Sequence, residues 1–243
     1  MQTDDILRHL GQVARERASR VSDEALGSAV ERLKAYQQQR FRNTYRDLLE
    51  DPRYAAATRF FLDELYGPGD HAPRDRQFER IVPAITRLFP RPVVATVSAL
   101  AELHALSETL DSEMGRQLKS CRPIGAADYV AAWRATGRSA DRERQIELAL
   151  EIGAALDRYT RSPLLRRSLH LMRRPARAAG LEALQGFLER GFDAFDAIGG
   201  AAAFLSTIES RERSLGAALF EGELAGGAPP AGSPACAVWE QLP

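Results

Sequence analysis

The sequence predicts an all-α protein: a single multi-helix bundle of roughly ten helices over residues 1–221, followed by a disordered tail over 222–243. Three observations carry this. Apolar residues return every three or four positions from Ile6 to Leu219, the period of a helix with one buried face. Capping residues, glycines and prolines punctuate that pattern at intervals of helical length. No stretch alternates apolar and polar residues as a half-buried strand would, and the best strand candidate, Val93 to Val97, lies inside a longer pattern of helical period.

In chain order, Thr3 reads as an N-cap, with Asp4 and Asp5 at the positive end of the helix dipole and Ile6, Leu10 and Val13 as the buried stripe. Ser22, Asp23 and Glu24 restart a helix that carries Leu26, Val30, Leu33, Phe41, Tyr45 and Leu48. Its stripe falters between Gln37 and Arg40, which predicts a bend or a change of packing partner. Asp51 and Pro52 are good N-cap and N1 residues, so a new helix is expected there, with Tyr54, Ala57, Phe61 and Leu65 inward. The run Tyr66-Gly67-Pro68-Gly69-Asp70 ends it.

Phe78, Ile81, Val82, Ile85 and Leu88 mark the following helix, which Pro83 should kink. Pro90 and Pro92 close it, and a long helix runs from Val93 to about Leu118. Tyr129 and Trp133 belong to a short helix ended by Gly137. Ser139 is expected to cap the next, which holds Ile146, Ile152 and Leu156 and stops near Ser162-Pro163. A basic segment broken at Pro175 and Gly180 leads to a helix over Leu181–Ile198, where Gly186 and Gly191 leave room for a close neighbour. Gly199-Gly200 separates this from the last helix, with Phe204, Leu205, Ile208, Leu215 and Leu219 inward. Beyond it, GGAPPAGSPA is too poor in apolar residues to pack.

Composition narrows the function classes. Arg and Lys number 33 and Asp and Glu 33, so the chain as a whole lacks the footprint of a protein that binds nucleic acid or an anionic membrane. Cys121, expected in an interhelical loop, and Cys236, in the tail, fit a reducing cytoplasm better than a disulfide framework. The acidic, amphipathic N-terminus lacks the basic and apolar regions of a secretory signal. No apolar stretch reads as the ~20 residues of a membrane span. The expected location is the cytoplasm.

The patterns FFLDELYGPGD, ALAELHALSETLD and RRPARAAGLEALQGFLERGF, together with RERQIELALEIG, resemble those of a family of uncharacterised bacterial proteins. The resemblance runs from about Tyr54 to Phe220. It implies an all-helical, cytoplasmic protein and carries no activity, substrate or cofactor with it.

One constellation has the spacing for chemistry. His104, Glu108 and Asp111 stand at i, i+4 and i+7 of the long helix, on one face beside its apolar stripe. Imidazole and carboxylates so placed can ligate iron, manganese or zinc in a helical bundle. The di-iron pattern, however, needs Glu where Ala101 stands. The plainer reading is a half-buried His104 bonded to Glu108, with Asp111 in solvent. His71 and Asp75 would complete a site with His104 if their helices pack antiparallel; otherwise Asp70 or Asp75 caps a helix and Arg74 pairs with a carboxylate. Tyr66, Asp70, Arg74 and Asp75 are therefore the binding candidates of that loop. The basic residues Arg166, Arg167, Arg173, Arg174 and Arg177 spread around their helix without interleaved aromatics, which predicts a solvated face paired with nearby acids. His170 and His9 have no convergent partner in sequence.

No nucleotide loop, nucleophile elbow, dinucleotide fingerprint or Cys-rich metal motif is present. The leading expectation is a non-catalytic interaction or regulatory module without a cofactor, whose partner is another protein. A metal- or haem-dependent bundle enzyme using His104 is one alternative. The other is a small-molecule-binding regulator with an apolar interhelical pocket lined by Tyr66, Trp133 or Phe192.

Overall fold

A computed structural model of the chain describes residues 2–65, 72–118, 123–221, 224, 229 and 234–243. Tyr66, Asp70, His71 and Cys121 lie outside the described residues. Arg74 has a described backbone but no described side chain.

The described residues are helical, with no strand among them. The helices are α1 (Gln2–Ser22), α2 (Glu24–Thr44), α3 (Arg46–Glu50), α4 (Ala55–Phe60), α5 (Ala72–Leu88), α6 (Arg91–Gln117) and α7 (Ala126–Thr136). They continue as α8 (Ser139–Thr160), α9 (Pro163–Leu171), α10 (Arg173–Ala178), α11 (Glu182–Ile198), α12 (Ala202–Glu221) and α13 (Pro234–Trp239). A π-helical turn, Phe61–Leu65, extends α4.

Local chemistry sets most of these bounds. Asp23 caps α2 by accepting from the Leu26 backbone N–H at 3.0 Å, and Ser162 caps α9 by accepting from that of Leu165 at 3.4 Å. Three expected starts shift. α1 begins at Gln2, so Thr3 is inside it and donates its hydroxyl to Thr86 Oγ1 on α5, at 2.9 Å. Arg138, with φ 58°, precedes α8 in place of Ser139. Asp51 closes α3 and accepts from the Arg53 N–H at 2.8 Å, so Pro52 belongs to a turn and α4 starts at Ala55.

The centre of the molecule is α6. It packs against α1, α2, α7 and α8, while α8 and α11 join the second half of the chain to this group through α12 and α4. Among the described residues α6 is also a helix long and apolar enough to cross a membrane by length and composition, which corrects the expectation that no stretch qualifies. It buries Glu108 and Asp111 as well as Leu103, Leu110 and Met114.

Close approach of two helix pairs depends on glycine. A Cβ on Gly115 would stand 2.7 Å from Val30 Cγ2, joining α6 to α2, and one on Gly191 would stand 2.7 Å from Phe60 Cζ, joining α11 to α4. Gly191 thus has the role foreseen for it, whereas the nearest atom at Gly186 is the mobile end of Arg190.

The tail takes a finer form than expected. Within the segment from residue 222 onward, Leu224, Val238 and Leu242 are buried, and they join Leu33, Trp133 and Leu219 in one apolar cluster. Asn43 and Thr44 of α2 also donate to the Gln241 backbone and side-chain oxygens, at 3.2 and 2.9 Å. The expected lack of packing therefore does not extend to the last residues, where Val238, Trp239 and Leu242 restore the apolar surface that GGAPPAGSPA lacks.

The buried apolar residues form four clusters. One cluster holds Tyr129, Trp133 and the tail; a second holds Phe60, Phe187, Phe195 and Phe204; a third joins Ile6 and Leu10 to Val82 and Val94; a fourth joins Leu103 to Leu148 and Ile152. Half-buried Phe78 bridges the second and third, and Leu100 and Leu156 bridge the second and fourth. The clusters surround a cavity.

Candidate functional site

The cavity has a volume of about 320 Å³. All four clusters contribute to its wall, and so does every helix except α9, α10 and α13. Its length can be followed on α6, whose wall residues run from Val93 and Val97 through Leu100 to His104, Glu108 and Asp111. Eighteen residues of helix separate Val93 from Asp111, about 27 Å at the usual rise. The first part of that path is aliphatic and aromatic, with Ile81, Ile85, Phe187 and Leu188 opposite. Phe89 and Leu188, 48% and 44% exposed, bring this apolar end to the surface. The other end is charged.

Glu108 is the hub of the charged end. Its side chain is 6% exposed and lies against Arg20 of α1, which donates through Nη1 to Oε2 and through Nη2 to the Glu108 backbone oxygen. Lys34 of α2 donates to Oε1 at 3.0 Å, and Arg17 Nη2 lies 3.5 Å from the same oxygen. Burial alone would push this carboxyl up, but the His104 contact and the charges of Lys34 and Arg20 override it and hold Glu108 well below the ordinary carboxylate range. It remains ionised.

His104 Nε2 stands 3.5 Å from Glu108 Oε1, 3.8 Å from Asp75 Oδ2 and 3.3 Å from Arg17 Nη2. The proton on Nε2 selects among them: bare, it accepts from Arg17; protonated, it donates toward a carboxylate. Asp75 Oδ2 also forms an ion pair with Arg17 Nη2, at 2.8 Å, so the packing of α5 beside α1 and α6 does bring Asp75 to His104. Asp111 corrects its expectation. It is 8% exposed instead of solvated, with Oδ2 3.8 Å from Lys34 Nζ, and burial pushes its carboxyl up despite the nearby Lys34.

Two further cations were missed by a reading along single helices. Arg40 of α2 is buried and donates to Glu212 of α12 at 2.6 Å, and the Tyr45 hydroxyl donates to the same Glu212 oxygen, also at 2.6 Å. Arg142 of α8 is 9% exposed and lies on the cavity wall. Its guanidinium carbon stacks 3.9 Å above the Trp133 ring, and its acceptors are neutral: Gln145 Oε1 at 3.2 Å and Met114 Sδ at 3.8 Å. Burial lowers its proton affinity from the usual value, opposed by Tyr129 and Asp111. An arginine stays charged even so. The faltering stripe at Gln37 to Arg40 was the one trace of this in the sequence, because it marks where α2 turns polar residues toward the interior.

Among the described residues, no group of three or more His, Cys, Asp or Glu side chains could hold a metal ion. Glu108 faces cations, and this competes with its use as a ligand alongside His104 and Asp111. Trp133 lines the cavity as foreseen; Phe192 is buried but is not among the wall residues, its ring lying under Arg166. Of the basic run, Arg166 pairs with Asp196 and Arg173 with Glu189, at 2.6 Å for the latter. His170 is exposed.

The family model described as a domain of unknown function (DUF8198) matches residues 16–226. The chain belongs to that family. No curated protein and no solved structure matches it. The matched span begins inside α1 at Glu16 and passes the end of α12, so the family's domain takes in the whole charged network from Arg17 to Glu212.

Proposed function

We propose that this DUF8198 chain is a regulatory module that binds a small amphipathic molecule in its interhelical cavity. The observation that supports this most is a 320 Å³ space along α6 that is lined by residues of all four apolar clusters and joins an apolar opening to a charged end. Interiors normally pack with few voids larger than a water, and small-molecule sites occupy about 300–1,000 Å³ with mostly apolar walls and a few placed polar groups. Filling the same space with side chains would stabilise the fold, so keeping it open points to an occupant. The His104 enzyme reading has less support, since the carboxylates beside the imidazole are held by Arg17, Arg20 and Lys34.

Binding of octanol, followed by thermal shift and titration calorimetry, tests the reading. Octanol should raise the melting temperature of the wild type and leave that of Val97→Trp unchanged, because the indole occupies the cavity; equal shifts in the two would overturn it.

A second reading, interaction with another protein, draws on α9. That helix buries none of its residues, and Leu164 and Leu171, seven positions apart on one face, are 73% and 77% exposed, with Met172 at 51%. Changing Leu164 and Leu171 to Gln should leave octanol binding intact and reduce any self-association seen by ultracentrifugation or any complex recovered with the chain. Unchanged association would remove α9 from consideration.

A further inference from the structure

The cavity wall carries one buried cation, Arg142, whose hydrogen-bond partners are both neutral. Among the wall residues the cations are Lys34, Arg40 and Arg142 and the carboxylates Asp75, Glu108, Asp111 and Glu212, and Arg17 and Arg20 of α1 reach the same carboxylates. Their pairing is uneven. Arg17, Arg20 and Lys34 share Asp75, Glu108 and Asp111, and Arg40 takes Glu212. Arg142 is left with the neutral oxygen of Gln145 and the sulfur of Met114. No carboxylate of the described residues lies within ion-pair distance of it.

A buried, unpaired guanidinium is costly to maintain. Buried side-chain donors without a partner here include Arg40 Nε, Arg142 Nε and Trp133 Nε1. Arg142 therefore keeps a guanidinium N–H with no acceptor.

We propose that Arg142 anchors the carboxylate of an apolar monocarboxylic acid whose alkyl or aryl body lies along α6 toward Phe89 and Leu188. This inference rests on the cavity reading above and makes it specific. The planar fork of an arginine matches a carboxylate through two parallel N–H donors. One guanidinium without an ionic partner offers a place for one acid group. Stacking on Trp133 holds the guanidinium plane in place before a ligand arrives, which lowers the ordering cost of binding. The wall from Val93 to Leu100, with Ile81, Ile85 and Phe187, then takes an apolar body. A cationic amphiphile would face Arg142 unfavourably.

Three probes with the same tail decide the matter: octanoate, octanol and octylamine, titrated into the full chain at neutral pH by calorimetry. Octanoate is expected to bind most tightly. Arg142→Gln should weaken octanoate by about tenfold to a hundredfold, the range for a hydrogen-bonded charge, while leaving octanol within about twofold. Arg142→Lys, which keeps the charge and loses the fork, should fall between them. Circular dichroism of each variant, together with its retained octanol binding, shows that the fold and cavity are intact. Octanoate and octanol binding equally, octylamine binding best, or Arg142→Gln weakening all probes alike would overturn the carboxylate assignment while leaving the cavity reading in place. Binding of none of the three to the wild type would overturn both.

Discussion

Lys34 Nζ reaches Glu108 Oε1 at 3.0 Å across 74 residues of chain, tying α2 to α6 at the charged end of the cavity. Glu108 also holds Arg20 of α1, so one carboxylate secures the first two helices to the central one. Removing that carboxylate would leave two cations facing each other in a poorly hydrated space.

Glu108→Gln is therefore expected to destabilise the fold by about 3 kcal/mol, in line with breaking a buried pair by losing one partner. Chemical denaturation of Glu108→Gln, Lys34→Met and the double variant gives the coupling directly. A double variant no more stable than the sum of the single losses would show that the pair is not coupled.

The two neighbouring carboxylates should respond to pH in opposite directions. Glu108 is held below its ordinary value in the folded state, so the stability it supplies is complete above about pH 5 and is lost as pH falls through the folded value. Asp111 is held above its ordinary value, so its ionised form opposes folding at neutral pH and that cost disappears below about pH 4. Asp111→Asn should accordingly melt higher than the wild type at pH 7 and converge with it on acidification. Melting curves from pH 4 to 8 check this, and a lower melting temperature for Asp111→Asn at pH 7 would contradict it.

At Gly191, a larger residue should collide with Phe60. Gly191→Val is expected to cost about 1–3 kcal/mol as overpacking, with partial recovery when Phe60 is shortened to Leu, because a Cβ there would meet that ring at 2.7 Å. No recovery in the double variant would locate the damage elsewhere in α11.

Deleting residues 234–243 should lower the melting temperature. Val238 and Leu242 are 8% and 7% exposed against the Trp133 cluster, and burying such a side chain contributes about 1.5–3 kcal/mol. An unchanged melting temperature would show that this docking adds nothing to stability.

Helix type was legible because period and caps are local properties. Asp23, Ser162, Gly137 and Gly199 mark ends that the structure keeps, whereas Thr3 and Pro52 satisfy the same local rules without starting a helix there, and Ser139 opens α8 as its first residue while Arg138 holds the cap position. The constellation of His104, Glu108 and Asp111 was visible for a similar reason: one helix face carries it. Its meaning was not. Arg20, Lys34 and Arg142 lie on α1, α2 and α8, and only tertiary packing brings them to α6, as it brings Arg40 of α2 to Glu212 of α12. Spacing of ligand type suggested a metal, while the neighbouring cations make the same residues part of an ion-pair network. The cavity was equally out of reach, since the apolar residues that line it have the same pattern as those that fill a core.

An interior with open space also sets how the protein responds to compression. Space that side chains leave unfilled disappears on unfolding, and the volume so eliminated makes the unfolded chain denser in solution and favours it as hydrostatic pressure rises. With about 320 Å³ of space lined by all four clusters, the empty protein should unfold at lower pressure than the same protein with that space occupied. An occupant would remove most of that compressible volume.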